Sequence, residues 1–290
     1  MGYNMLSVII VAFKNWRILL QTLKTMEEFN DIGDKLEVIV VDNSPEECRI
    51  FDKINKQWKY RFKYIENENK GFGYGNNAGA RVAVGEFLAF INPDIIFVEP
   101  IFKRIINEFK KDTTLSMIGV RLLDVEGKNN SSFKYDFKYS VASRQIIKIF
   151  NQKGIFCEKK MYIEGADMFL RKSDFFQAGM FDENIFMYYE EADLSRRLRG
   201  MKGEHHIKFI GDLHLIHLEN GSTPNSLVAI KTEIASCKYF SKKYGLSARK
   251  KLVADYRYMK FKNCIYKRLK KIEPYKEQLN IYREELLKIQ

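Results

Sequence analysis

A dense group of carboxylates and arginines at residues 181–199 is the part of this sequence best suited to chemistry. The segment holds five Asp or Glu and three Arg around an aromatic run. In a helix, Glu190, Asp193 and Arg197 would share one face, and Glu191 would point about 100° away from Glu190. One glutamate can then pair with Arg197 while the other faces open space as a general base. Acids in a first helical turn are also favoured by the helix macrodipole, so a capping role stays open here.

The elements that must position these groups alternate between strands and helices. Apolar runs typical of buried strands occur at residues 6–13, 36–41, 62–66 and 86–91. Helical spacing of apolar residues follows at 17–28, 76–84 and 99–110, and a further strand is predicted at 115–123. This alternation predicts right-handed βαβ crossovers and an α/β fold with a mostly parallel, Rossmann-like sheet flanked by helices.

Several polar and aromatic residues come directly after the predicted strands, where α/β sheets bind ligands. Phe13, Asp42, Glu66 and Asp94 would all lie along that edge. Asp42 has two interpretations, because it can form an Asx turn with Ser44 or accept a hydrogen bond from the base or ribose of a ligand.

The sequence Asn92-Pro93-Asp94 is a candidate metal-binding turn. Asp94 offers carboxylate oxygens at a strand end, where a divalent cation would keep sites for phosphate and water. Turn formation alone also explains the three residues. The histidines lack the cysteines and the spacing of a zinc site, so a single histidine, His217, is the one we expect to join a carboxylate-held metal.

The Gly-rich segment at residues 69–79 opens a predicted helix, whose free N–H groups can receive an anion. It is not a dinucleotide-binding fingerprint, because Asn76 stands where the third glycine belongs. It is not a P-loop, because no Gly-Lys-Ser/Thr follows. A NAD-type site is therefore not expected.

Residues 124–160 are polar, aromatic and poorly patterned. We predict a flexible loop with a short helix there, the natural place for a substrate lid. Order is expected to return at residues 161–171, where Gly165 would permit the close approach of a ligand or of backbone.

The composition favours a globular protein of the cytosol. No run approaches the roughly 18 apolar residues of a transmembrane helix, and no basic segment of a signal peptide precedes the first strand. Cys48, Cys157, Cys237 and Cys264 are far apart and form no C-x-x-C pair, so we expect reduced thiols.

The positive charge is concentrated in the C-terminal tail. Residues 241–290 carry fifteen Lys or Arg and five Asp or Glu, which is +10 of the total net charge of +12. Between 247 and 271 these cations alternate with aliphatic and aromatic residues, a pattern typical of an interfacial helix on an anionic bilayer. A packing helix with a solvated basic face is the alternative, and Pro274 predicts a break before a final helix suited to homodimerisation. Base-reading and stacking motifs are not evident, so no nucleic-acid partner is expected.

Taken in order, several segments resemble the family 2 inverting glycosyltransferases of the GT-A fold, especially the bacterial rhamnosyltransferase-like branch. The resemblance covers about residues 6–225. It rests on Ser7–Phe13, Val41–Ser44, Asn69–Gly73, Asn76–Gly79, Phe90–Asp94, Glu164–Arg171, Gly179–Glu183, Phe186–Leu194, and His217 with Gly221-Ser222.

The resemblance implies a site for a nucleotide-sugar donor. Ala12, Phe13 and Asp42 would contact the base, and Lys70, Gly71 and Asn76 would border the nucleoside and sugar. The resemblance also implies that Asn92, Pro93 and Asp94 replace the family's D-x-D element, with Asp94 and His217 holding Mg²⁺ or Mn²⁺ on the diphosphate. Asn92 departs from the family because it stands at the first Asp of that element.

The same resemblance implies a catalytic base and an acceptor side. Glu191 falls where the family has the Asp of a Glu-Asp pair, and the choice between Glu190 and Glu191 as the base stays open. The residues implied for the acceptor are Gly165, Asp167, Tyr189 and Asp193.

The resemblance thus implies transfer of a hexose or deoxyhexose from a dTDP- or UDP-sugar to a lipid-linked or growing glycan. The implied organisation is a GT-A domain at 1–225, with a nucleotide-binding part at about 1–123, an acceptor-binding part at about 124–225 and a basic helical extension at 226–290. The enzyme would lie at the inner face of the plasma membrane. A catalytically inactive sugar-nucleotide-binding module is the alternative.

Overall fold

The centre of the fold is an eight-stranded sheet, seen in a computed structural model that describes residues 5–45, 61–137, 140–218, 227–270, 272 and 274–289. The strands are β1 (Leu6–Ala12), β2 (Leu36–Asp42), β3 (Arg61–Glu66), β4 (Phe87–Ile91), β5 (Ile95–Phe97), β6 (Leu115–Leu123), β7 (Phe133–Tyr135), β8 (Met161–Ile163), β9 (Asp167–Arg171) and β10 (His206–His217). Eight of these strands in the described residues form the central sheet, and β7 and β8 form a separate two-stranded sheet. The helices are α1 (Trp16–Glu28), α2 (Phe72–Val82), α3 (Phe102–Lys111), α4 (Val141–Lys153), α5 (Lys172–Gln177), α6 (Glu190–Arg199), α7 (Leu227–Lys243), α8 (Ala248–Lys270) and α9 (Lys276–Leu287).

The order of strands in the sheet is β3-β2-β1-β4-β9-β6-β10-β5. β1 pairs in parallel with β2 and β4, as do β2 with β3 and β6 with β10. β9 is antiparallel to β4 and β6, and β5 is antiparallel to β10. Most neighbouring pairs are therefore parallel, which confirms the predicted α/β fold class.

The sheet separates two apolar layers, because successive side chains of a strand point to opposite faces. Leu6, Val8 and Ile10 of β1 belong to the layer that covers α1, while Ile9 belongs to the opposite layer. The second layer also takes Leu194 and Leu198 of α6 and so fixes the helix that carries the acidic pair.

The segment at 124–160 is more ordered than the sequence predicts. It contains β7, which pairs with β8 in a two-stranded sheet, and α4, a helix of 13 residues. The buried Asn151 of α4 accepts hydrogen bonds from the backbone N–H groups of Ser132 and Phe133 and donates to the Phe133 carbonyl oxygen. These bonds fasten the helix to the hairpin. The predicted helix is therefore present, and the β7 strand was not predicted.

The C-terminal extension is helical, as expected, and its helices α7, α8 and α9 all contribute to a buried cluster with α6. Ile230 and Phe240 of α7, Leu252 of α8 and Tyr282 of α9 share one buried cluster with Ala192 of α6. The last turns of α8 differ, because their apolar side chains are exposed: Phe261, Ile265 and Leu269. None of the helices in the described ranges is long and apolar enough to cross a membrane.

Leucine substitutions at the two ends of α8 should therefore differ in cost. Leu252 is 1% exposed and Leu269 is 76% exposed. We expect Leu252→Ala to lower the free energy of unfolding by about 2–5 kcal/mol and Leu269→Ala to change it by less than about 0.5 kcal/mol. Urea denaturation measures both, and equal costs would contradict the packing of α8 described here.

Candidate active site

The two adjacent glutamates lie at the start of α6, where the sequence predicted a helix terminus. The residues before them, Tyr188 and Tyr189, both have left-handed backbone conformations, with φ of 70° and 73°. Such conformations cost about 1–3 kcal/mol each in non-glycine residues and persist where the surroundings hold them. Glu191 borders a cavity of about 620 Å³, whereas Glu190 is buried beside it.

Burial changes the titration of the pair. It raises the pKa of Glu191 to about 6, although the Lys134 ammonium and a backbone hydrogen bond from Gly165 lower it. Burial and the neighbouring Glu191 raise the pKa of Glu190 well above its ordinary value. The Oε2 atom of each carboxylate has no hydrogen-bond partner among the residues described. At neutral pH Glu191 is thus the ionised member, and it is the one that faces the cavity.

The partner of Arg197 differs from the prediction. Arg197 Nε donates to Asp193 Oδ2 at 2.8 Å, so it does not pair with Glu190. Asp193 is fully buried and also accepts from the Tyr244 hydroxyl at 2.8 Å and contacts the Lys243 ammonium at 2.5 Å. A carboxylate enclosed by three partners joins α6 to α7, which does not fit the predicted acceptor contact.

The other predicted acceptor residues divide into two groups. Asp167 lies in β9 with no exposed surface, and its Oδ2 accepts from the backbone N–H of Val120 at 2.7 Å. Its burial raises its pKa well above the ordinary value, so Asp167 is a core residue and does not fit acceptor contact. Gly165 and Tyr189 do lie at the acidic pair: Gly165 is next to the Glu191 carboxylate, and Tyr189 lines the cavity.

The Gly-rich segment holds the loop that precedes the acidic pair. Asn77 donates to the Phe181 carbonyl oxygen at 2.9 Å and to Glu183 at 2.9 Å, and it accepts from the Phe181 N–H at 3.0 Å. The backbone N–H of Phe72 donates to the Phe186 carbonyl oxygen at 2.8 Å. Sequence reasoning missed this role of Asn77, because the partner lies about a hundred residues further on.

The three residues of this segment predicted to border the donor differ in placement. A Cβ on Gly71, whose φ is 113°, would overlap the Phe186 carbonyl group, so a glycine is required there. Asn76 is buried and donates to the Phe72 carbonyl oxygen of its own helix. Lys70 lies at the surface and pairs with Glu68 at 2.7 Å. Asn76 is therefore a helix-supporting residue, which does not fit direct donor contact.

From the side opposite the Gly-rich segment, helix α7 contacts the loop that precedes the acidic pair. Ser236 Oγ donates to the Met187 carbonyl oxygen at 2.7 Å. Tyr239 and Lys243 both donate to Asp182 Oδ2, at 2.9 and 2.7 Å. Burial raises the pKa of Asp182, but the hydrogen bonds from Lys243, from the side chain and backbone of Asn184 and from Tyr239 together outweigh it and bring the pKa to about 2. No signal in the sequence identifies the contacts of α7, which connect the extension to the acidic loop.

The residues predicted to contact the base lie at the carboxyl ends of β1 and β2. Ala12 is buried at the end of β1, and Phe13 is 45% exposed beyond it. Asp42 Oδ1 accepts from the backbone N–H and hydroxyl of Ser44, and Oδ2 accepts from the Tyr64 hydroxyl. The Asx turn, one of the two interpretations of Asp42, is thus formed, and its contact with a base stays a prediction.

Asp94 and His217 are brought together by the pairing of β5 with β10. The register places His217 opposite Ile95, and His217 Nε2 lies 3.3 Å from Asp94 Oδ1. The Asn92 Oδ1 atom nearby in the turn is buried with no hydrogen-bond partner on any described residue, and the Pro93 carbonyl oxygen accepts from Thr22 at 2.6 Å. Gly221, Ser222 and Thr223, which follow His217 in the sequence, lie outside the described residues, as does Cys48.

This donor set fits a divalent cation that is shared with a phosphate ligand. The turn between β4 and β5 supplies the Asp94 carboxylate and the orphaned Asn92 amide oxygen, and the end of β10 supplies the His217 imidazole. Mg²⁺ commonly takes one or two carboxylates plus phosphate oxygens. Within the part of the chain that the structure covers, no cluster of three or more His, Cys, Asp or Glu forms a complete metal cage.

Curated relatives of the chain are glycosyltransferases. The low-salt glycan biosynthesis hexosyltransferase Agl10 of Haloferax volcanii is 29% identical over 202 residues, which cover 67% of this chain and 61% of that protein. The rhamnosyltransferase WbbL of Escherichia coli is 25% identical over 217 residues, which cover 69% of this chain and 80% of that protein. This chain thus spans less than two thirds of the length of Agl10.

Solved structures show the same fold at low identity. TarS residues 1–349 of S. aureus in complex with UDP-GlcNAc match with a TM-score of 0.58 and 15% identity, covering 90% of this chain and 72% of that one. The mannosyltransferase PcManGT of Pyrobaculum calidifontis in complex with GDP-Man and Mn²⁺ matches with a TM-score of 0.53 and 13% identity. The match covers 83% of this chain and 63% of that one. The GT-A fold predicted from the sequence is thereby confirmed.

The family assignment follows from the N-terminal half of the chain together with these relatives. The model of the glycosyl transferase family 2 matches residues 7–176, which include the sheet edge with Asp42 and Asp94. This match extends over more than half of the 290 residues. The chain belongs to glycosyl transferase family 2.

Proposed function

We propose that this chain is an inverting glycosyltransferase that moves a hexose, or a deoxyhexose such as rhamnose, from a dTDP- or UDP-sugar to a lipid-linked or growing polysaccharide in bacterial surface glycan synthesis. The main support is the ionisable Glu191 carboxylate at a cavity of about 620 Å³, in a chain whose residues 7–176 match the family 2 model. The names of Agl10 and WbbL support glycan synthesis and a hexosyl or rhamnosyl donor.

The proposed reaction assigns one proton transfer to Glu191. An acceptor hydroxyl oxygen bonds to the anomeric carbon while the bond from that carbon to the diphosphate oxygen breaks. Glu191 takes the hydroxyl proton, and the nucleoside diphosphate leaves with the electron pair of the broken bond. Glu190 keeps its proton because of its raised pKa, so it supplies no second charge.

The donor would lie along the sheet edge. The exposed Phe13 ring would contact the base, and the turn with Asn92 and Asp94 would face the diphosphate. Asp94 and His217 would hold Mg²⁺ or Mn²⁺, which neutralises charge on the leaving diphosphate. The Mn²⁺ named with PcManGT supports this choice of cation.

The acceptor would enter the cavity next to Glu191. Aromatic rings and polar side chains share its wall, a combination suited to sugar rings with hydroxyl groups. The rings that line it are Tyr135, Phe137, Tyr162, Tyr188, Tyr189, Phe240 and Tyr258. Tyr258 comes from α8, so the C-terminal extension forms part of the proposed acceptor site.

The last turns of α8 would dock the enzyme peripherally on an anionic membrane at the inner face of the plasma membrane. Phe261, Ile265 and Leu269 are exposed there, and the basic residues around them are Arg257, Lys260, Lys267, Arg268 and Lys270. Apolar groups flanked by cations match a bilayer with anionic headgroups, where each cation contributes about 1 kcal/mol before screening. Leu252 in the first half of α8 is buried in the cluster with α6, and Tyr258 of the same helix lines the cavity, which supports a membrane surface close to the acceptor.

A panel of nucleotide sugars tests the proposed activity and its metal. We expect the protein to release the nucleoside diphosphate from one dTDP- or UDP-sugar, slowly even when no acceptor is present. EDTA should abolish this release. Calorimetry should show that EDTA or Asp94→Asn weakens donor binding, because the diphosphate then lacks its cation. A donor that binds equally well with and without EDTA would reject the metal site, and no release from any donor would reject the activity.

Glutamine substitutions separate the two glutamates. Glu191→Gln should lower kcat by about 10²–10⁴-fold while donor affinity is kept, because the amide cannot accept the proton. Glu190→Gln should leave most of the activity, because an amide resembles the protonated acid. The wild-type rate should fall as the pH drops through about 6, where Glu191 gains its proton. Equal losses in both variants would contradict the assignment of the base.

Liposome sedimentation tests the membrane surface. We expect binding that requires anionic lipid and weakens at high salt, and we expect Leu269→Glu to abolish it. Val125→Glu, which changes another exposed apolar residue in the segment after β6, is the matched control and should bind normally. If wild-type protein ignores anionic liposomes at low salt, the surface does not bind membranes, and a concentration-dependent dimer in sedimentation velocity would identify it as a contact between copies.

A further inference from the structure

An ion pair beside the acidic pair has no role in the function proposed so far. Lys134 Nζ lies 2.6 Å from Glu164 Oε1, and Ser131 Oγ donates to the same oxygen at 3.0 Å. Lys134 and Ser131 line the cavity that Glu191 borders. Glu164 directly precedes Gly165, whose backbone N–H reaches the Glu191 carboxylate.

The β7–β8 hairpin places this ion pair at the cavity. Lys134 of β7 stands opposite Tyr162 of β8 in the antiparallel register, and both residues line the cavity wall. The Lys134 side chain is about half exposed, at 52%, and Glu164 is largely covered, at 16%. The lysine is therefore held at one end by Glu164 and is open to the cavity that contains Glu191.

We propose that Lys134 is a positioning residue for the proposed transfer, whose ammonium group, anchored by Glu164, keeps the buried Glu191 carboxylate ionised and ready to accept a proton. The catalytic role of Lys134 rests on the proposed function. The effect of Lys134 on the charge of Glu191 concerns the ligand-free protein and does not depend on that function.

The other cations at the cavity differ from this lysine in their surroundings. Arg144 and Lys251 both pair with Asp255, and Lys148 is exposed on α4.

The remaining titratable groups near Glu191 are acids and phenols, which supply no positive charge. Glu190 on the same helix and Tyr162 on the hairpin keep their protons, because burial raises both pKa values well above the ordinary ones. Burial also raises the pKa of Tyr188. Asp136 on the hairpin is paired with Arg196 and Arg199 of α6, and the remaining carboxylate at the cavity is Glu233 of α7.

The two members of the ion pair act on Glu191 with opposite sign. Lys134 lowers the pKa of Glu191 and Glu164 raises it, against the larger effect of burial, which raises it to about 6. Removing the charge of Lys134 should therefore raise the pKa of Glu191, and removing the charge of Glu164 should lower it. A loss of local structure would move both variants in the same direction.

Carbon-13 NMR of protein labelled at the glutamate Cδ tests the proposal without donor or acceptor. The Glu191 resonance is identified by its absence in Glu191→Gln. Its chemical shift is followed as the pH is changed, which gives the pH midpoint of the Glu191 titration. We expect Lys134→Met to raise the midpoint by about one pH unit and Glu164→Gln to lower it. Lys134→Arg should restore a midpoint near that of the wild type, because it keeps the charge.

Lys148→Met is the matched control, since it removes another lysine from the rim of the same cavity. It should leave the Glu191 midpoint unchanged. The proposal is overturned if Lys134→Met leaves the midpoint where it is, if both ion-pair variants shift it in the same direction, or if Lys148→Met matches Lys134→Met. The expected shifts without any sugar transfer would uphold the electrostatic role and reject the proposed function alone.

Discussion

The hydrogen bonds of Asn77 to the backbone of Phe181 fix the loop on which the candidate active site depends. They join the helix after the Gly-rich turn to the segment that leads into the acidic pair. From the opposite side, Tyr239 and Lys243 of α7 hold Asp182 in the same loop. Ser236 of α7 also donates to the Met187 carbonyl oxygen near the other end of the loop. With both ends held, the chain can keep two successive tyrosines in left-handed conformations and begin α6 at the two glutamates.

This placement gives two neighbouring residues of the same type different chemistry. Glu190 faces the protein interior, where burial keeps its proton, and Glu191 faces the cavity next to Lys134 and Gly165. A general base is most effective when its pKa lies near the working pH, and a buried glutamate with a compensating cation satisfies that condition. The C-terminal extension takes part as well, because α7 and α8 complete the cavity wall.

Much of the fold could be predicted from the sequence, because buried parallel strands leave continuous apolar runs such as that at residues 6–13. The helix at Glu190 was also predictable from the spacing of its acids. The partner of Arg197 was not: Glu190 and Asp193 share one helix face, and the structure pairs Arg197 with Asp193, which is one turn away on α6. Residue type likewise could not reveal that Asp167 and Asp193 are enclosed. The hairpin at β7 was missed because strands of three residues carry too little pattern.

The central claim is that one ionised carboxylate, Glu191, activates an acceptor hydroxyl for a single displacement at the anomeric carbon. The most direct test is the anomeric configuration of the product, read by NMR from the one-bond C1–H1 coupling and compared with that of the donor. A single displacement predicts that the configuration inverts. Retention of the donor's configuration would require two successive displacements or a front-side attack and would contradict this account.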